Sequence, residues 1–372
     1  MKRIGITGQN GFVGSHLYNT LGLNDQKYER IEFDKSFFTN EDLLDEFVGR
    51  CDVLVHLAGM NRHPNQEVIY KTNIELANKL TESLVRTSSK AQVIFSSSSQ
   101  EEKDNLYGNS KKEARSILNN WAKQNGGSFV GLIIPNVFGP FAKPYFNSVV
   151  ATFCHQLNNN EEPIINVDAE VNLIYVHELV EQIIKLIDKS VHQSELKVFH
   201  TAVCTVSEIL STIQSFKEDY LQNNTIPTFS SSFELNLFNT FRSYIDLNSF
   251  YPVKYKQHTD ERGAFTELIR LNSGGQVSFS TTVPNITRGN HFHTRKIERF
   301  SVIKGKALIQ LRKIGTSEKF EFELDGIHPA YVDIPIWYTH NITNIGDEEL
   351  YTVFWINETF TSTDPDTYFE KV

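Results

Sequence analysis

The sequence has 372 residues, 40% of them hydrophobic, and a formal net charge of −9. That length exceeds one ordinary core and implies two domains, and the acidic balance argues against a nucleic-acid surface. Three scattered cysteines, Cys51, Cys154 and Cys204, form no CxxC pair, which argues against a disulfide framework and a thiolate zinc site. No apolar run reaches the roughly 18 residues of a membrane helix, and no signal peptide precedes the first strand. We therefore expect a soluble, cytoplasmic protein without membrane insertion.

In chain order, the pattern predicts a strand over 3–7, a glycine-rich turn, and a helix through Leu17 and Leu21. Strands follow at 30–34 and 52–58, the latter apolar enough to be buried on both faces. A helix is predicted over 73–85, a strand at 92–95 ending in a serine run, a long helix over 107–124, and a buried strand over 129–134. Strands separated by helices imply an α/β fold with a parallel, doubly wound sheet. Near residue 228 the periodicity weakens. Short β runs then dominate, at 276–282, 299–303, 307–313, 330–334 and 350–356, which suggests an antiparallel barrel or jelly roll. The expected domains are 1–245 and 246–372.

Gly8, Gly11 and Gly14 stand directly after the first strand and open a helix, with Phe12 and Val13 between the last two. A tight turn, a close backbone approach and amides at a helix N-terminus suit a dinucleotide pyrophosphate. Asp34 ends the second predicted strand, where an acid binds a ribose 2′-hydroxyl and favours NAD. Lys35 beside it would pair with the 2′-phosphate of NADP, so the cofactor choice stays open.

Tyr107 and Lys111 are four residues apart and share a helix face. The serine run 96–99 ends the preceding strand. This set suits carbonyl reduction: the phenol protonates the alkoxide, the ammonium lowers the phenol pKa, and a serine hydrogen-bonds the carbonyl.

In the second half, His291 and His293 are two apart, Glu298 follows a turn, and His340 comes from a distant strand. Three imidazoles and a carboxylate suit Zn²⁺, Mn²⁺, Fe²⁺ or Ni²⁺. His328 lies outside this set and reads as a loop residue.

The segments TGQNGFVG (7–14), VHLAG (55–59), Asn73, FSSSS (95–99), YGNSK (107–111) and PNVFGP (135–140) resemble the extended short-chain dehydrogenase/reductases that act on nucleotide sugars. The resemblance implies that Ser98 is the catalytic serine, with Ser97 and Ser99 as alternatives. It also implies that Ala58 and Gly59 border the cofactor and that Asn136 lies near nicotinamide and substrate. NLIYVHELV (172–180) departs from the family, with His177 and Glu178 where acids are usual.

The order HxHx4Ex6G (291–305) and PxxxxHxxxN (335–344) resembles the two cupin motifs, with Trp337 in place of a usual glycine. Asp260 to Glu267 and Arg288 to His291 are also similar to cupin-fold sugar-nucleotide 3,5-epimerases, which makes Arg262 and Arg288 candidates for substrate charge. In those enzymes the position of His291 holds a free base, which competes with a metal role.

The two-domain arrangement, with NSVVATFCHQL (147–157) and DPDTYFEKV (364–372), resembles the bifunctional enzymes of capsular polysaccharide synthesis. That resemblance implies a UDP-linked 4-keto-6-deoxy amino sugar as substrate, NADPH as reductant (NADH not excluded), zinc or another divalent metal, and a homodimer. It further implies C3 epimerisation followed by C4 reduction to UDP-2-acetamido-2,6-dideoxy-L-talose, a precursor of UDP-N-acetyl-L-fucosamine. The alternative is a reductase whose cupin is a metal-stabilised dimerisation module.

Overall fold

The computed structural model describes residues 1–189, 191–261, 263–271 and 274–372, with side chains described except at 263–265 and 271. It divides into two compact units, residues 1–152 with 165–209, and residues 153–164 with 210–372. Arg262, a candidate substrate residue, lies outside the described residues.

The first unit is built on six parallel strands: β1 (Lys2–Thr7), β2 (Tyr28–Ile31), β3 (Val53–His56), β4 (Gln92–Ser98), β5 (Ser128–Ile134) and, after a short β6 (Asn136–Phe138) and β7 (Glu170–Tyr175), β8 (Gln193–Lys197). The order in the sheet is β2-β1-β3-β4-β5-β8, and every neighbouring pair is parallel. The helices are α1 (Phe12–Leu21), α2 (Glu41–Gly49), α3 (Gln66–Arg86), α4 (Leu106–Asn125), α5 (Val149–Asn158), whose residues from 153 on belong to the second unit, and α6 (Val176–Asp188).

Strand alternation sorts the core. Ile4, Ile6, Val53 and Val55 pack with Leu17 of α1 and Leu179 and Ile183 of α6. Leu54, Val93 and Phe95 pack with Leu44, Leu80 and Leu118 of α2, α3 and α4. A sheet covered on both faces needs strands that are apolar throughout, and β3 is buried at all four positions. The winding reverses between β1 and β3, which opens a crevice at their carboxyl ends.

The second unit holds two five-stranded antiparallel sheets. One places residues 253–254, Ala330–Ile334, Glu298–Lys304, Leu350–Ile356 and Gln276–Thr282 in that order. The other runs Lys319–Asp325, Lys306–Lys313, Tyr338–Asn344, Thr287–Phe292 and 368–369. This is the antiparallel β architecture expected from the strand spacing.

The region of weak periodicity contains a helix, Ser232–Arg242, capped by Ser231 on the Glu234 amide. Its residues from Leu237 to Arg242 are all buried, so no amphipathic stripe marks it. Phe238 lies 5.2 Å from both Phe216 and Tyr220.

This helix also brings Arg242 into a buried polar network. Arg299 donates to both carboxylate oxygens of Asp333, at 2.8 and 2.9 Å. Tyr220 donates to Asp333 and receives the Arg242 Nε–H at 3.3 Å. Arg242 Nη2 donates to the Ile334 carbonyl at 3.2 Å. Asp333 and both arginines are at most 2% exposed, so removing the carboxylate strands two buried guanidinium charges. We expect Asp333→Ala to cost about 3–5 kcal/mol, read by denaturant unfolding. A loss below about 1 kcal/mol would show that the network is dispensable.

Candidate active site and metal centre

The glycine loop follows β1 at the crevice. The Gly11 amide donates to the Gly8 carbonyl at 2.9 Å and closes the turn. A Cβ on Gly14 would meet the Gly8 oxygen at 2.1 Å, so only glycine permits this approach. Gly11 is the N-cap of α1 and supplies no side-chain cap to the first-turn amides, which include those of Phe12 and Val13. Such amides are anion-binding groups. The neighbouring wall is β3: Thr7 Oγ1 lies 2.6 Å from His56 Nδ1, and the Ala58 amide donates to Thr7 Oγ1 at 3.4 Å.

Asp34 and Lys35 fall beyond the second strand, which ends at Ile31. The chain leaves the sheet because the Phe33 amide donates to Gln9 Oε1, at 3.1 Å, instead of to a strand. Asp34 then caps a short 3₁₀ turn by accepting the Ser36 amide at 2.8 Å. The Ser36 hydroxyl and amide together hold its carboxyl below the usual range. Gln9, which ties the glycine loop to this segment, escaped the sequence reading.

The serine run separates by contact. Ser96 donates to the His56 carbonyl at 3.2 Å. Ser97 donates to Glu101, which also holds Arg115 at 2.7 Å. Ser98 takes the Gln100 amide at 3.2 Å and lies near enough to the Tyr107 phenol to lower its pKa. Ser99 starts the 3₁₀ turn Ser99–Glu102. A Cβ on Gly108 would meet the Gln100 carbonyl at 2.1 Å, which is how α4 comes close enough to the serine turn for this contact.

Burial raises the Tyr107 phenol, and Ser98 opposes the rise. Lys111 is buried with its ammonium 4.7 Å above the Phe95 ring. Burial lowers it to about 8, with Glu101 acting the other way, so it is mostly protonated at neutral pH. A Cβ on Gly59 would lie 3.5 Å from the Lys111 amine, so Gly59 borders that charge. Asn73 fixes the same corner: its amide nitrogen donates to the Met60 carbonyl and to Ser110, both at 2.9 Å, and its oxygen accepts the Met60 amide at 2.7 Å. Asn136 is exposed on β6 and donates to the Asn172 carbonyl at 3.3 Å. In the divergent segment 172–180, Glu178 takes the Tyr175 amide at 3.1 Å and so caps α6.

In the second unit, ligating atoms of His291, His293, Glu298 and His340 lie within 4.8 Å of one another. A β-bulge between Gly289 and His291 interrupts the strand Thr287–Phe292, and His291 pairs with His340 across the ladder. Nε2 of His293 and Nε2 of His340 each lie 3.1 Å from Glu298 Oε2. None of these three buried atoms has hydrogen-bond geometry to a partner. Nδ1 of His293 faces the Asp366 carbonyl, and Nδ1 of His340 faces that of Tyr338 at 3.4 Å. A carbonyl only accepts, so each Nδ1 carries a hydrogen, and each Nε2 is left without a partner beside the carboxylate oxygen. Three buried polar atoms left unpaired this close together are costly unless something lies among them. The donor set therefore fits a divalent cation.

His291, partly exposed, is lowered to about 4 by burial and by neighbouring His340. Trp337 keeps the backbone of the glycine it replaces, at φ +63°, and its amide donates to the His293 carbonyl at 2.7 Å. Its ring stacks on Phe292 at 5.6 Å. The turn is thus retained, with packing offsetting the left-handed strain. Arg288 donates to Thr282 Oγ1 at 3.1 Å and to the Thr281 carbonyl at 3.0 Å, holding its guanidinium against Gln276–Thr282.

The doubly wound sheet with the Ser98–Tyr107–Lys111 arrangement defines an extended short-chain dehydrogenase/reductase domain, here joined to an antiparallel β unit. Residues 4–199 match the NAD dependent epimerase/dehydratase family and residues 258–368 match the polysaccharide biosynthesis C-terminal domain. The chain is 34% identical over 369 residues to a UDP-2-acetamido-2,6-beta-L-arabino-hexul-4-ose reductase of Pseudomonas aeruginosa, covering 98% of this chain and 97% of the relative. It is similar to the crystal structure of the capsular polysaccharide assembling protein CapF from Staphylococcus aureus, with a TM-score of 0.63, 35% identity and 100% of both chains covered. RMD from P. aeruginosa complexed with NADPH shares the fold, with a TM-score of 0.53 and 18% identity over 59% of this chain and 83% of that one. The chain belongs to the NAD dependent epimerase/dehydratase family and is CapF-like over its full length.

His293→Ala should leave less than about a tenth of the wild-type bound metal, measured by elemental analysis of purified protein. Wild-type metal content in that variant would remove His293 from the ligand set.

Proposed function

We propose that this chain is a bifunctional nucleotide-sugar enzyme. Its antiparallel domain, a cupin in this reading, epimerises C3 of a UDP-2-acetamido-2,6-dideoxy-4-hexulose. Its parallel-sheet domain then reduces the C4 ketone to give UDP-2-acetamido-2,6-dideoxy-L-talose, a precursor of UDP-N-acetyl-L-fucosamine for capsule or O-antigen. The observation that carries the reductase half is the approach of α4 to the serine turn, where Gly108 packs against the Gln100 carbonyl and Tyr107 stands one helical turn from buried Lys111. Likeness to the P. aeruginosa reductase and to CapF supports the substrate class. We place the enzyme in the cytoplasm as a homodimer.

A nicotinamide, as NADPH or NADH, supplies hydride to C4 when bound. The amides of Gly11, Phe12, Val13 and Gly14 would hold its pyrophosphate, Ala58 and Gly59 would border it, and Asp34 or Lys35 would meet its ribose. Ser98 orients the C4 carbonyl by a hydrogen bond. Tyr107 transfers its phenolic proton to the C4 oxygen as the alcohol forms, and the Lys111 charge stabilises the phenolate left behind. Asn136 lines the substrate side.

In the cupin, His291, His293, Glu298 and His340 would hold zinc or another divalent ion, which polarises the ketone oxygen when present. Arg288, and Arg262 from the sequence pattern, would meet substrate charge. The C4 ketone acidifies the C3 hydrogen, because loss of that proton leaves an enolate. Return of a proton on the opposite face inverts C3. Reduction destroys the ketone and fixes the new configuration, so epimerisation must come first.

Tyr107→Phe should lower NADPH oxidation by about 10²–10⁴-fold and leave C3 hydrogen exchange with deuterated water intact. Loss of both would contradict separate sites. Lys111 is charged below about 8 and neutral above, so reduction should fall as pH rises through that value. Lys111→Arg, whose charge persists, should move the alkaline limb upward. An unchanged limb would assign it to another group.

A further inference from the structure

Asp366 lies far along the chain from the four candidate ligands, yet it contacts every residue from His293 to Lys296. Its Oδ1 accepts the Thr294 amide at 3.1 Å and the Thr294 hydroxyl at 2.6 Å. Its Oδ2 accepts the amides of Arg295 and Lys296, both at 3.1 Å. Its carbonyl accepts His293 Nδ1–H. Asp366 is 2% exposed and has φ +41°, a left-handed conformation that turns carbonyl and carboxylate towards the same loop. Three consecutive amides converging on one carboxylate form a rigid anion-centred turn. That turn is the link between two ligands, His293 and Glu298.

The neighbouring residues hold Asp366 in place. Arg295 pairs with Asp364 at 2.7 Å and with Glu358 at 3.3 Å. The buried Lys296 ammonium donates to the Pro365 carbonyl at 2.7 Å. Beyond it, Tyr368 and Phe369 pair with Phe292 and His291 on the ligand-bearing strand. Residues 364–369 thus grip the His291–Glu298 segment from two sides.

We infer that Asp366 is a positioning residue of the metal centre: its carboxylate sets the 293–298 turn, and its carbonyl fixes the His293 ring so that Nε2 faces Glu298. It is not a ligand, because both its carboxylate oxygens are occupied by the turn. This rests on the metal reading above, and the test separates the two.

Zinc affinity of the full chain would be measured by competition with a chromophoric chelator, for wild type, Asp366→Asn and Thr294→Val. The asparagine keeps the volume but replaces one accepting oxygen and removes the charge, which loosens the turn and with it the hold of the 366 carbonyl on His293. We expect about 10–100-fold weaker zinc binding for Asp366→Asn and a smaller, severalfold loss for Thr294→Val. Nitrogen chemical shifts of ¹⁵N-labelled histidine in the metal-free protein give an independent readout: one Nδ1–H tautomer for His293 in wild type, and a mixture in Asp366→Asn. Affinities within twofold of wild type in both variants, or an unchanged tautomer, would overturn the role of Asp366 with the metal site intact. Absence of zinc binding by wild type at micromolar concentration would overturn the metal site itself. Should Asp366→Asn not fold, wild-type affinity in Thr294→Val overturns the inference.

Discussion

Two imidazole nitrogens and one carboxylate oxygen, buried together and unpaired, are the constraint around which the antiparallel unit is organised. His293 and His340 each approach Glu298 at 3.1 Å, with Nδ1 committed to a carbonyl. Desolvated acceptors facing one another are unfavourable unless a positive charge lies among them. Local features that look irregular serve this convergence. The bulge at Gly289–His291 re-aims an imidazole, and Trp337 keeps a left-handed turn whose amide holds the His293 carbonyl.

The parallel unit solves a related problem with opposite means. There a cation, Lys111, is buried beside an aromatic ring rather than a carboxylate, and its pKa falls towards working pH. Gly108 lets α4 approach the serine turn, Gly59 borders Lys111, and the Asn73 side chain holds Ser110 between them. Both units therefore store unfavourable electrostatics that a bound ligand would relieve: a metal in one, an anionic cofactor and a developing alkoxide in the other. In the proposed function the substrate chemistry links them, since the same ketone that permits proton exchange at C3 accepts hydride at C4.

Much of this was legible in the sequence because short motifs encode it. The glycine loop, the Tyr107–Lys111 spacing and the His291–His293–Glu298 order are local, and local spacing survives without knowledge of the fold. The serine run could not be sorted from sequence, because its members differ only in their contacts: Ser97 donates to Glu101, while Ser98 takes the Gln100 amide and acts on the Tyr107 phenol. Asp366 could not be read at all, since its partners lie 70–73 positions away. Helix 232–242 was missed for the opposite reason: buried on every side towards its end, it has no polar face to give it a period. Asp34 sits outside the strand predicted to end with it, because one amide, that of Phe33, bonds Gln9.

The most direct measurement is the product formed by wild-type protein from the UDP-linked 4-keto sugar and NADPH in deuterated water, read by mass spectrometry and proton NMR. The account predicts one deuterium at C3 for each C4 alcohol formed, with one NADPH consumed per product. Reduction at C4 with hydrogen retained at C3 would contradict it and leave a ketoreductase carrying a structural β domain.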